Sequence, residues 1–288
     1  MAGGAVIVAR RVALHALCVL CLVEAAPLTR AQAPASAGLH DPLDQLLELY
    51  VRDGLVYYNA VKSDRRRLDG YIAALNGPQA RAIDRASNDD QIAFWLNAYN
   101  AIVLQTVVDN YPIRGQAASY PSNSVRQIPG AFDRTPHAVG GRQITLDQIE
   151  TKVLAGFRDP RLYLAIGRGA LGGGRLRSES YNGAILGEQL AAVATEFATG
   201  GQLLDIDESS GTVTVTPILS WRQADFIAAY ASAAPAAFAE RSPIEKALLA
   251  FIHPNMLPHE REFLDRNQFH VEFAKFDWRL NDLTGGRP

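Results

Sequence analysis

Apolar positions recur with helical spacing over most of this chain and alternate with strand spacing in only a few short stretches. "SNDDQIAFWLNAYNAIVLQTVVDNYP" predicts the strongest helix. Ser87 stands at its N-cap, Asp89 and Asp90 suit the positive end of the helix dipole, and Pro112 stops it. Ile92, Phe94, Trp95, Leu96, Tyr99, Ile102, Val103, Leu104 and Val107 leave nearly every side apolar, which places this helix in the core.

Weaker patterns flank it. "DPLDQLLELYVRDG" predicts a helix entered through Pro42 and closed by Gly54. "LVYYNAV" reads as extended. "SDRRRLDGYIAALNGP" reads as an amphipathic helix opened by Ser63, with Arg65, Arg66 and Arg67 on a solvated face. A polar loop over 113–130 leads to a hairpin, "HAV" and "RQIT" around Gly140-Gly141. Thr145 and Gln148 form a capping box for a helix from Leu146 to Leu154. "LYLAI" predicts a buried strand. "NGAILGEQLAAVATEFATGG" reads as a helix and "GTVTVTPI" as an alternating strand. The helices "WRQADFIAAYA" and "PIEKALLAFI" follow, then a polar turn, "HPNMLPHER", and a last strand in "FHVEFAKFDWRLN". This order, without repeat or inner linker, predicts the α+β class: a single mainly helical domain over residues 41–284 with a small, mostly antiparallel sheet.

The N-terminus breaks the pattern. Arg10 and Arg11 precede an apolar run, Val12 to Val23, and an A-x-A site at Ala31 to Ala33. Residues 1–33 read as a secretory signal peptide, followed by a short linker over 34–40. The run is about 12 residues, against roughly 20 for a membrane span. The expected product is periplasmic or secreted, with no membrane span after cleavage. Both cysteines, Cys18 and Cys21, lie in this segment, so the mature chain would have no disulfide, thiolate metal site or cysteine nucleophile. Cleavage removes Arg10, Arg11, Arg30 and Glu24, so 28 basic and 30 acidic residues become 25 and 29, a net charge of −4. Without a basic surplus, nucleic acid is not an expected partner.

Gly167, Gly169 and Gly172 in "LYLAIGRGALGGGRLR" spell G-x-G-x-x-G. A dinucleotide fingerprint needs its last glycine to open a helix, but "GGGRLRSESY" intervenes, and no P-loop pattern is present. Two readings remain. Successive N–H groups with Arg168, Arg175 and Arg177 form an anion nest, or the loop is structural and its arginines pair with local acids such as Glu179.

"AFWLNAYNAIVLQTVVDNYP", "GGRQITLDQIE", "RDPRLYLAIGRGA" and "FDWRLN", in that order, resemble the domain of unknown function 547 family, from about Asp41 to Asn281. The resemblance implies a fold unit but no activity. Typical members carry two loop cysteines followed by proline, and a histidine after the "IE" pair. Here the matching positions are Arg168, Gly173, Gly174 and Thr151. A cysteine–histidine pair serves a thiol nucleophile or a metal, so its joint absence implies either a lost or replaced function or the drift of a structural cysteine pair.

The remaining polar set gives two functional readings. In the first, Asn97, Asn100, Arg168, Gly169 and Arg175 bind a small anionic ligand, or the protein serves an envelope partner. In the second, Glu150 is the base of a hydrolase or transferase and the glycine loop is its anion hole. The structural alternative has Asn97 and Asn100, which share a helix face, tying down loop and hairpin backbone, with Glu150 paired to Arg168. No H-E-x-x-H or comparable spacing marks a metal, and no cofactor is expected.

Overall fold

A computed structural model describes Met1 and residues 38–285. The expected signal peptide (Met1 aside) and residues 34–37 of the linker lie outside the described residues. Short elements come first: α1 (Asp41–Tyr50), β1 (Val51–Arg52), β2 (Leu55–Val56), α2 (Tyr58–Ser63), α3 (Arg66–Ala74) and α4 (Pro78–Arg81). The long helix α5 (Asn88–Asn110) follows. The Ser87 hydroxyl accepts the Asp90 N–H at 3.1 Å, as its N-cap position requires. Helix α5 is buried on all sides because α2, α3 and the segments that follow it pack around it.

Next come the hairpin β3 (His137–Val139) and β4 (Arg142–Ile144), then α6 (Leu146–Gln148). Gly140 and Gly141 both take positive φ, as a two-residue hairpin turn of right-handed strands demands. The Thr145–Gln148 capping box opens α6, which continues as a π turn, Ile149–Val153, and a 3-10 turn, Leu154–Phe157. Helices α7 (Leu162–Ala165) and α8 (Leu186–Thr199) flank the glycine loop. The last third holds β5 (Leu204–Asp207), β6 (Thr212–Val215), α9 (Ile218–Trp221), α10 (Gln223–Tyr230), α11 (Pro243–Ile252), α12 (Pro258–Asp265) and β7 (His270–Phe273).

The architecture is mainly helical α+β with small sheets. β1–β2, β3–β4 and β5–β6 are antiparallel, and β7 joins β6 in parallel, with Val213 opposite Val271. Beyond β7 the chain crosses the glycine loop. Leu171 N–H donates to Arg279 O at 2.9 Å and Gly172 N–H to Asp277 O at 2.8 Å. Asn281 anchors the end of this strap, accepting from the Tyr58 hydroxyl at 2.7 Å and donating to Gly54 O at 2.8 Å.

Four local expectations are corrected. "LVYYNAV" is extended only at Leu55–Val56, and helix α2 begins at Tyr58. "LYLAI" is not a strand: the Asp159 carboxylate accepts the Arg161 N–H at 3.0 Å and starts the single turn α7 instead. Ser63 ends α2 rather than opening α3. The polar stretch after Ile252 is a 3-10 turn followed by α12, in which Pro258 takes the first helical position and Phe263 and Leu264 are buried.

Candidate functional site

The glycine loop is built by close backbone approach. Arg168 (φ +48°) and Gly169 (φ +62°) both take the left-handed conformation. The Gly167, Ala170, Gly173 and Gly174 N–H groups donate to Asn100 Oδ1, Gly167 O, Ala170 O and Ile166 O. With the two bonds to the C-terminal strap, six of the loop's N–H groups are bonded inside the fold. A Cβ at Gly174 would land on the Leu164 carbonyl, so its lack of a side chain serves packing.

Asn97 and Asn100 are buried on α5 and face this region. The Asn97 amide donates to Tyr181 O and accepts from Tyr181 N, both at 2.8 Å. Asn100 accepts the Gly167 N–H at 2.9 Å and donates to Ala165 O at 3.3 Å. Both side chains are spent on backbone before and after the loop, and their hydrogen bonds do not reach the hairpin. Gly169 packs against Val103 of α5. Arg175 points elsewhere, to Asp53 at 3.0 Å and Glu196 at 3.5 Å, and Arg177 pairs with Glu179 at 2.8 Å.

Arg168 turns into the protein. Its Nη2 meets Glu150 Oε1 at 2.7 Å, and its Nη1 donates to Tyr163 O at 3.0 Å. The side chains of Arg168 and Glu150 are only 3% and 10% exposed, so this is a buried ion pair. Arg222, from the α9–α10 junction, adds its own Nη2 to the same Glu150 oxygen at 2.8 Å. Burial acts to raise the Glu150 pKa, but the charges and hydrogen bonds of Arg168 and Arg222 outweigh it and hold the carboxyl below its ordinary range. A carboxylate ionised this firmly, between two guanidiniums, is a poor proton acceptor.

These groups form one wall of a cavity of about 270 Å³, which Tyr99, Arg126, Phe132, Asp147, Trp221 and Trp278 complete. The Tyr99 hydroxyl and Arg222 Nε are buried there with no hydrogen-bond partner among the described residues. Burial, and then the Glu150 charge, push the Tyr99 pKa well up, so the hydroxyl stays a neutral donor. Arg126 lies over the rings of Phe132 (4.7 Å) and Trp278 (4.4 Å). A guanidinium stacked in this way keeps its in-plane donors for another group. Asp147 is raised, by burial first and against the pull of Arg126. Among the described residues no group of three or more His, Cys, Asp or Glu is placed to hold a metal ion.

The family model described as "Protein of unknown function, DUF547" matches residues 83–198. This is a DUF547 domain-containing protein. The DUF547 match covers α5, the hairpin, the π turn, the glycine loop and nearly all of α8, and so supplies Tyr99, Arg126, Phe132, Asp147, Glu150 and Arg168. Trp221, Arg222 and Trp278 come from the chain beyond the matched DUF547 segment. No curated protein and no solved structure matches the chain.

Of the residues singled out from the sequence, Glu150 and Arg168 line the cleft, whereas Asn97, Asn100 and Gly169 support the loop from inside and Arg175 faces another surface. Sequence reasoning missed Arg126, Asp147 and Arg222 as site residues and counted Tyr99 only as core. Arg126 sits in a loop without a motif. Arg222 follows Trp221 at the start of an ordinary helix, and nothing local marks it as the partner of a carboxylate 72 positions away.

Proposed function

We propose that this is an exported protein that binds a small anionic ligand in the cleft bounded by Arg126, Arg168 and Arg222. The observation that carries the reading is one cavity lined by three arginines, Arg126, Arg168 and Arg222, in which Arg126 lies stacked over Trp278 at 4.4 Å. An anion placed there gains charge-assisted hydrogen bonds from a guanidinium whose in-plane donors remain free of the ring stack. Three guanidiniums against two carboxyl groups leave the cleft with a surplus of positive charge. Catalysis with Glu150 as base is the weaker reading, because that carboxylate is doubly ion-paired and six of the loop N–H groups are already bonded inside the fold. Export rests on the basic pair, the apolar run and the A-x-A site of residues 1–33.

Thermal unfolding with acetate, benzoate, citrate and phosphate tests the site. An anion at about 100 times its Kd adds about 2.7 kcal/mol, a rise of roughly 5–10 °C for this size. The rise is expected to vanish in Arg126→Gln. No rise with any anion overturns the reading. Export is checked by sequencing the N-terminus of the protein recovered from cells, where retention of Met1 is the contrary result.

A further inference from the structure

The cleft carries more apolar surface than an anion needs. Trp221 and Trp278 line it, and Phe276 joins them, 5.1 Å from Trp221 with the rings 30° apart and 4.2 Å from Trp278 at 45°. Phe132 continues the row 6.1 Å beyond Trp278. Trp221 is 48% exposed, and Phe276 and Trp278 are half-buried. An open row of rings beside buried polar donors is the arrangement of a site whose ligand has a flat apolar body and one polar end.

We propose that the ligand is an aromatic monocarboxylate, its ring against the Trp221–Phe276–Trp278 row and its carboxylate on the Arg126 guanidinium. This rests on the anion-binding reading above and adds the chemistry of the ligand's body. Size and charge select the class. A cavity of about 270 Å³ equals roughly nine water volumes at about 30 Å³ each, room for one ring and a carboxylate. Arg126, Arg168 and Arg222 face Asp147 and Glu150, and a surplus near one positive charge suits a monoanion better than a phosphate dianion. The guanidinium fork matches a planar carboxylate. The lining has no Asn, Gln, Ser or Thr, and Glu150 is already held by two arginines, so a sugar acid would find few partners for its hydroxyls.

Tryptophan fluorescence reads this directly. The chain has three tryptophans; two line the cleft and the third, Trp95, is buried in α5. The protein is titrated with benzoate, indole-3-acetate, acetate, glucuronate, inorganic phosphate and neutral benzamide, with calorimetry for ligands that do not quench. The aromatic carboxylates are expected to bind about tenfold or more tighter than acetate, as burial of one ring implies, and benzamide about tenfold or more weaker than benzoate. In Trp221→Ala, an exposed site that does not threaten the fold, the benzoate-to-acetate ratio should fall toward one. Equal binding of acetate and benzoate overturns the ring assignment while the anion reading stands. Tighter binding of glucuronate or phosphate overturns the ligand class. No binding of any anion removes both.

Discussion

Glu150→Gln is the sharpest perturbation, because it removes one charge and little volume. Arg168 would remain in place, its side chain 3% exposed, with the Tyr163 and Ile166 carbonyls as its remaining partners at 3.0 and 3.5 Å. Arg222 cannot compensate, since it carries the same sign. Stranding a buried charge costs about 3–5 kcal/mol, and the carbonyl contacts place this case near the lower end. At about 2–4 °C per kcal/mol for a chain of this size, the expected fall in Tm is about 6–12 °C. The assay is urea and thermal unfolding of wild type, Glu150→Gln, Arg168→Met and the double variant Glu150→Gln/Arg168→Met. The double variant should be more stable than the single variants predict by addition, because the fully buried Arg168 charge is gone and only the part-exposed Arg222 is left without its carboxylate. Acid gives a second reading. The folded carboxyl titrates below the ordinary 4.5, so the pair's contribution is complete above that pH and fades as pH falls through the folded value. Glu150→Gln should lack that fade. A loss below about 1 kcal/mol, with additive single variants, would refute the account of Arg168 as a charge that Glu150 neutralises.

The other outcomes follow from contacts elsewhere. Gly174→Ala, with a Cβ directed onto the Leu164 carbonyl, should cost at least the about 1–3 kcal/mol typical of overpacking, whereas Gly70→Ala, on the open face of α3, should gain about 0.5–1 kcal/mol; urea midpoints separate them. Asn97→Ala and Asn100→Ala each leave a buried N–H and C=O without the amide that met them, a loss of about 2–5 kcal/mol by denaturant titration. Burial holds the His40 pKa near about 4, against the attraction of Asp90. The unfolded chain therefore takes up a proton first, and stability should fall by on the order of 3 kcal/mol as pH drops from 6.5 to 4. His40→Gln should remove that slope; an unchanged slope would show that another group sets it.

Short-range physics was legible in the chain. The ends of α5, its burial on every side, the β3–β4 turn and the Thr145–Gln148 box each depend on residues a few positions apart. The pairing of Glu150 with Arg168 was also within reach, because two titratable side chains near one buried loop have few other ways to satisfy their charge. The error at "LYLAI" has the same local origin, read too coarsely: apolar continuity does not separate a strand from a buried helical turn, and the Asp159 cap decided it.

By itself, the sequence determined the ends of α5, the β3–β4 turn and which helix faces must leave water, because caps, glycine turns and periodicity act within one or two turns of chain. Only the tertiary structure decided what meets. It set β7 beside β6 in parallel and drew the C-terminal strap across the glycine loop, bonding the loop donors that the sequence had left open for an anion. It brought Arg126, Arg222 and Trp278 to Glu150 from three separated segments. Such convergence is fixed by burial and hydrogen bonding across the whole core, and no local window of residues contains those terms.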